Sequence, residues 1–185
     1  PSGNLLAATP VLYDEADVKA AVAQAEGRFG RVDVLINIAG TNGPAVYAED
    51  YSYDDFKEVY EVNVYGTFLP IKYVLPIMKR QKSGAIVNTS SISGIRGYEL
   101  ECGYGSSKWA ITGLTKCIAA EQIKNGIRVN SIAPGWIDTA MMKDVVNNYS
   151  KIAGVDVSAF FSTGPAGRPG KAEEMAETVY FLCSS

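Results

Sequence analysis

Apolar positions along this chain change their period several times, and each change marks an element. Between Asp14 and Gly30 they recur at three and four: Val18, Val22, Ala25 and Phe29 share a face, Asp14 takes the N-cap position and Gly30 the stop. That spacing predicts a helix. The run VDVLINI (32–38) is short, continuous and β-branched, which predicts a strand buried on both faces of a parallel sheet. From Ser52 to about Lys82 the helical spacing returns through Phe56, Val59, Tyr60, Asn63, Val64, Phe68, Val74, Leu75 and Met78, with Pro70 and Pro76 expected to kink the helix. GAIVNTS (84–90) predicts a second strand, residues 103–125 a long helix, IRVNSIA (127–133) a third strand and KAEEMAETVYFL (171–182) a final helix. The segment 141–170 is weakly patterned and rich in Gly, Ser and aromatic residues, and reads as a mobile flap over a site.

Alternation of helix and strand without repeat or linker implies one domain over residues 1–185. Right-handed crossovers would build an α/β fold, a Rossmann-like doubly wound parallel sheet in three α/β/α layers. Ligands in such sheets bind beyond the carboxyl ends of the strands, where this chain carries NIAG, SSISG and APGWIDT.

Composition narrows the chemistry. With 47% hydrophobic and 20% charged residues, the 185-residue chain can bury a core. Its apolar stretches are too short and too interrupted to span a bilayer, so no membrane partner is expected. A formal charge of −3, with no Lys or Arg cluster, argues against a nucleic-acid surface. Three cysteines, odd in number and without a CxxC, suit a reducing, cytoplasmic setting; Cys117 and Cys183 fall on apolar helix faces and are expected in the core, and Cys102 near the pocket. Histidine is absent, which removes the usual general base, the His-dependent nucleophile systems and most zinc sites, so no metal is expected.

Tyrosine and lysine remain as acid–base groups, and the chain holds two Tyr-x-x-x-Lys matches, YDDFK (53–57) and YGSSK (104–108). Eleven tyrosines make such a match expected by chance, so the surroundings decide. Tyr104 and Lys108 share a helical face just after a strand ending in Ser90–Ser91, where an ammonium beside a phenol favours the phenolate. Tyr53 and Lys57 have no strand-end serine upstream and carry Asp54 and Asp55 between them, as a solvated helix face would.

Over nearly its whole length the chain resembles the short-chain dehydrogenase/reductase family. NIAG (37–40) is similar to the family's NNAG, NVYG (63–66) to its NxxG, NTSSISG (88–94) to its serine strand, YGSSK (104–108) to its YxxxK, and RVNSIAPGWIDT (128–139) to its PG turn. The resemblance implies an oxidoreductase that moves a hydride between NAD or NADP and a ketone or secondary alcohol, with 3-oxoacyl thioesters as one substrate class. It makes Tyr104 the acid/base, Ser91 its hydrogen-bonding partner on the substrate oxygen, Lys108 the ligand of the nicotinamide ribose, and Asn63 the holder of a relay water. Asn37, Ala39 and Gly40 would touch the adenosine side of the cofactor. Ile137 and Thr139 would fix the carboxamide after the Pro134–Gly135 turn. Ser93, Tyr98, Trp136, Met141 and Phe160 are expected around the substrate.

The family's glycine-rich turn has no counterpart here, Val11 stands where an Asp is common, Ile38 replaces the second Asn of NNAG, and the chain stops at FLCSS, so the sheet is expected to lack its first strands and its last. Apolar outer faces on the helices over 52–82 and 103–125 imply a homo-oligomer, dimer or tetramer. A sugar-nucleotide epimerase or dehydratase shares YxxxK but usually adds a longer substrate domain, and a non-catalytic dinucleotide-binding scaffold would be expected to lose Tyr104 or Lys108.

Overall fold

The computed structural model describes residues 7, 8, 10–159 and 166–184; of the positions singled out above, Phe160 lies outside them. Helix α1 (Glu15–Phe29) starts as its sequence dictates, with the Asp14 carboxylate accepting from Asp17 N, and ends at Gly30 in the left-handed region, φ 75°. Three strands follow in alternation with helices: β1 (Val34–Asn37), β2 (Gly84–Thr89) and β3 (Ile127–Ile132). They pair in the order β1-β2-β3, parallel throughout, with Leu35 against Ile86 and Ile86 against Val129.

The long helical stretch between β1 and β2 is less regular than its spacing predicts. Helix α2 (Tyr53–Tyr60) is capped by Ser52, passes into a π-helical turn (Glu61–Tyr65), and continues as α3 (Gly66–Gln81) through both prolines without a break. The irregularity therefore falls on Asn63, two turns before Pro70, where a widened turn inserts an extra residue. Helix α4 (Cys102–Gln122) precedes β3, and α6 (Ala172–Cys183) closes the described chain. Between them lies α5 (Ala140–Ala153), a helix that the weak patterning of 141–170 does not predict: Thr139 caps its start by accepting from Met142 N, and Gly154 stops it in the left-handed region. Its two asparagines had obscured a helix whose caps are sound.

On one face of the sheet, Ile71, Val74 and Met78 of α3 and Ile118 of α4 pack on Ile86, Ile127 and Val129, with Val22 of α1 and Leu35 of β1 at the margin. Helix α6 packs on β2 and β3 from the other face through Val179, and Val34 and Ile36 of β1 are exposed there. Cys117 is exposed rather than buried, correcting the expectation of a core residue; Cys183 is partly buried, and all three cysteines are free thiols. No helix among the described residues is long and apolar enough to cross a membrane, and among them no group of three or more Cys, Asp or Glu could hold a metal.

Two tethers hold the strand ends where chemistry is expected. Ser90 N and Ile92 N donate to Ile132 O and Pro134 O at 2.9 and 3.0 Å, which prolongs the β2–β3 pairing past both strands. The chain after β3 is pinned in turn, since Gly170 N donates to Trp136 O at 2.8 Å and Asp138 N to Gly170 O at 2.9 Å.

Candidate active site

Beyond the carboxyl ends of the strands opens a cleft of about 720 Å³, lined by Gly40, Ser91, Ser93, Tyr104 and Lys108, by the segment Pro134–Ile137, and by Thr139 and Met142 at the start of α5. Ser91 is positioned by a short 3-10 turn (Ile92–Gly94) that it caps: its Oγ accepts from Ser93 N at 3.1 Å, which leaves the hydroxyl hydrogen to be donated toward the Tyr104 phenol. Tyr104 and Lys108 lie one turn apart in the first turns of α4, and the ammonium sits over the tyrosine ring, 5.5 Å from its centroid.

Lys108 is 3% exposed, donates to Thr89 O at 2.9 Å and faces no carboxylate close enough to hold its charge, so burial pulls its pKa down to about 8. Burial also raises the Tyr104 phenol; a hydrogen bond from Ser91 opposes that rise and the charge of Glu101 adds to it. Where the sequence leads one to expect a phenol depressed by its lysine, the phenol of the protein alone is raised, chiefly by desolvation.

Asn63 sits behind this pair, fully buried. Its Oδ1 accepts from Thr41 N at 2.8 Å, while its Nδ2 donates to Thr41 O and to Ser107 Oγ, both at 2.9 Å. Ser107 Oγ donates in turn to Tyr104 O at 2.7 Å. One amide thus ties the loop after β1 to the helix turn that bears Tyr104. The packing at Gly40 is close: a Cβ there would lie 3.1 Å from Asn63 Oδ1 and 3.4 Å from Lys108 Nζ, so a larger residue would press on both side chains.

Other expected site residues fall elsewhere. Asn37 donates to Asn88 Oδ1 at 2.9 Å inside the sheet, and neither it nor Ala39 lines the cleft. Tyr98 is also outside the lining, with the Arg96 guanidinium stacked 4.8 Å from its ring centroid. Trp136 and Met141 line the cleft. The Thr139 hydroxyl is engaged as the cap of α5. Sequence reasoning missed Thr41 and Ser107, whose roles depend on the π-helical turn, and Glu101, whose only signal is an acid three residues before Tyr104 at a helix start.

The cleft fits the nicotinamide-ribose end of a dinucleotide. Lys108 Nζ keeps two further donors beside a glycine that leaves room for a sugar, Tyr104 supplies a hydroxyl, and Thr89 Oγ1 is buried without a partner.

Comparison with known proteins agrees. A family model described as Enoyl-(Acyl carrier protein) reductase matches residues 12–185. Levodione reductase of Leifsonia aquatica is 38% identical over 189 residues, covering 100% of this chain and 69% of the relative. The crystal structure of levodione reductase superposes with a TM-score of 0.94 at 37% identity, over 100% of this chain and 72% of that one. A xylitol dehydrogenase bound to NAD+ gives 0.92 at 32% identity, covering 96% and 72%, and ElxO with NADP bound gives 0.85 at 33%, covering 94% and 68%. By these matches over nearly its whole length, the chain belongs to the short-chain dehydrogenase/reductase family of NAD(P)-dependent oxidoreductases.

Proposed function

We propose that this protein interconverts a ketone and a secondary alcohol with NAD or NADP, using Tyr104 as the group that gives and takes the proton. The observation that carries the reading is the convergence of Ser91, Tyr104 and Lys108 on one cleft at the carboxyl end of β2, with the phenol under a buried ammonium. The nicotinamide, when bound, supplies the hydride chemistry. Ser91, whose hydroxyl meets the Tyr104 phenol in the protein alone, donates to the substrate oxygen when it is bound and orients it. In reduction Tyr104 Oη releases its proton to that oxygen; in oxidation it accepts one. Lys108 binds the ribose hydroxyls and favours the phenolate. Asn63 acts as a positioning residue, through Thr41 and Ser107, rather than on the substrate.

Gly40 and the Pro134–Gly135 turn would hold the cofactor backbone-close, with Ile137 and Thr139 toward the carboxamide and Asn37 and Ala39 framing its adenosine side from behind. Ser93 and Trp136 bound the substrate, and Tyr98 would reach it only from the rim. The described residues are read as one domain, in which α5 borders the cleft through Met141, Met142 and Val145. The exposed Phe68 and Trp109, 41% and 51% accessible on α3 and α4, suit a homo-oligomer, and three free thiols suit the cytoplasm. The enoyl reductase description of the family model and the methionine-lined cleft favour an acyl thioester as the second substrate class to test.

The test follows reduced nicotinamide by absorbance with cyclic and linear ketones and alcohols, for the wild type and Tyr104→Phe. Turnover by the wild type and its loss in the variant are expected. Equal turnover by both would overturn the role of Tyr104.

A further inference from the structure

Helix α5 borders the cleft without being packed into the core. Met142, Val145, Val146 and Tyr149 recur at three and four along one of its faces, and each is only half-buried; no residue of the helix is fully buried. Met141, Met142 and Val145 reach the cleft, so the wall that α5 gives it is apolar. The start of the helix is fixed, because Asp138 N donates to Gly170 O and Thr139 caps the first turn. Its far end is held by one side chain. Among the described residues, Tyr149 makes the only hydrogen bonds from α5 to a segment distant in sequence: its Oη donates to Glu99 O at 2.9 Å and lies 3.5 Å from Glu101 Oε1.

The acceptors belong to the loop that joins Ser91 to Tyr104. Between them Leu100 takes φ 64°, a conformation that leucine holds only where its surroundings impose it. Burial, and after it the charge of Glu101, keeps the Tyr149 phenol above its ordinary value, so it remains a donor at neutral pH and well above it. A helix of 14 residues is marginal by itself in water, so the order of α5 depends on what holds its ends.

We propose that Tyr149 is a latch, a positioning residue that holds α5 closed along the cleft through Glu99 O, and that release of this bond lets the helix turn about its pinned start to admit substrate and free product. With the latch closed, Met141, Met142 and Val145 lie against the apolar part of the substrate, away from the reacting oxygen. That consequence rests on the oxidoreductase reading above; the latch itself is read from the protein alone.

The test uses the intact enzyme and Tyr149→Phe, which keeps the ring and removes the donor. Amide hydrogen exchange is followed in α5, with β2 and α4 as internal references. Exchange in α5 is expected to quicken about threefold to tenfold, the usual worth of one hydrogen bond, while β2 and α4 stay unchanged. Unchanged exchange in α5 would overturn the latch, and an equal rise in all three elements would overturn it in favour of a general structural role. Steady-state reduction of butanone, hexan-2-one and octan-2-one, with NADH and with NADPH, reads the consequence for the cleft. In the variant, KM for octan-2-one is expected to rise about threefold or more with kcat not reduced, and butanone to stay within about twofold, because only the longer chain reaches the α5 wall. A fall in kcat shared by all three ketones would overturn the proposal, since Tyr149 would then act on Tyr104 through the loop between Ser91 and Tyr104. No turnover of any linear or cyclic ketone by the wild type with either cofactor would overturn the oxidoreductase reading and the substrate consequence with it, and the exchange result would still decide the latch.

Discussion

The two Tyr-x-x-x-Lys matches share a spacing and little else. Tyr53 opens α2 with 79% of its surface exposed, and Lys57 makes an exposed ion pair with Glu61 at 3.5 Å. Tyr104 opens α4 inside the cleft, and Lys108 is 3% exposed with Thr89 O as its acceptor. The difference lies in what each helix abuts. Ahead of α2 is a short 3-10 turn (Ala48–Asp50) on the surface; ahead of α4 are the end of β2 and the Ser91 cap. Spacing sets which residues share a face, and the element beneath decides whether that face meets water or a reacting oxygen.

Substitutions at equivalent places should separate the pair most strongly at the tyrosines. Tyr104→Phe is expected to lower kcat/KM by about 10²–10⁴-fold, the usual worth of a positioned acid or base, whereas Tyr53→Phe leaves it unchanged. Steady-state kinetics on both variants checks this, and comparable losses would erase the distinction.

The next largest effect is in the pH profile. Oxidation needs the phenolate, and burial together with Glu101 holds Tyr104 above its ordinary value, so kcat/KM for alcohol oxidation should climb about tenfold per pH unit on the acid side. Glu101→Gln removes one of the raising influences and should move the climb to lower pH; a profile flat from neutral to alkaline pH would contradict the assignment.

Lys108→Met should separate activity from stability. Because the folded pKa of about 8 lies below the lysine's ordinary 10.5, the fold binds fewer protons than the unfolded chain between those values. The buried charge therefore opposes folding fully below pH 8, and the opposition fades as pH rises toward 10.5. The variant is expected to lose turnover yet melt higher at pH 7, with the gain shrinking by pH 10, as thermal melts across pH would record. Lys57→Met should do neither.

Backbone spacing gives a smaller effect. A Cβ on Gly94 would collide with Ser90 Oγ and lie 2.7 Å from Lys108 O, so Gly94→Ala should destabilise by about 1–3 kcal/mol by overpacking. Smallest of all is Lys57→Ala, expected within about 0.5 kcal/mol in a denaturant titration because its ion pair is solvated.

Local signals carried most of the fold. Asp14, Ser52 and Gly30 each sit at the helix ends their residue types favour, and β-branched runs became the three strands, shortened at their ends. The site was legible where a motif coincides with a strand end, as at Ser91 and Tyr104. It was not legible where position depends on contacts distant in sequence. The π-helical turn at Asn63 exists among residues of ordinary helical pattern, and its amide bridges Thr41 to Ser107, twenty-two and forty-four residues away. Nor did the sequence show that Asn37 bonds Asn88 across the sheet or that Tyr98 stacks on Arg96, since both partners are set by the assembled fold. Burial likewise set the direction of the Tyr104 shift, and burial is a property of the assembled cleft.

The amide chain across the sheet has a consequence for assembly. Asn37 Nδ2 donates to Asn88 Oδ1, and Asn88 Nδ2 to Thr115 Oγ1, each at 2.9 Å, between strands paired residue for residue. A slip of β1 by one residue would present Ile36 or Ile38 to Asn88 and strand its carbonyl in a dry interior. The pair therefore works as a proofreading device: among the near-degenerate ways to align two short apolar strands, only one lets both asparagines close, and that alignment brings NIAG and SSISG level at the mouth of the cleft.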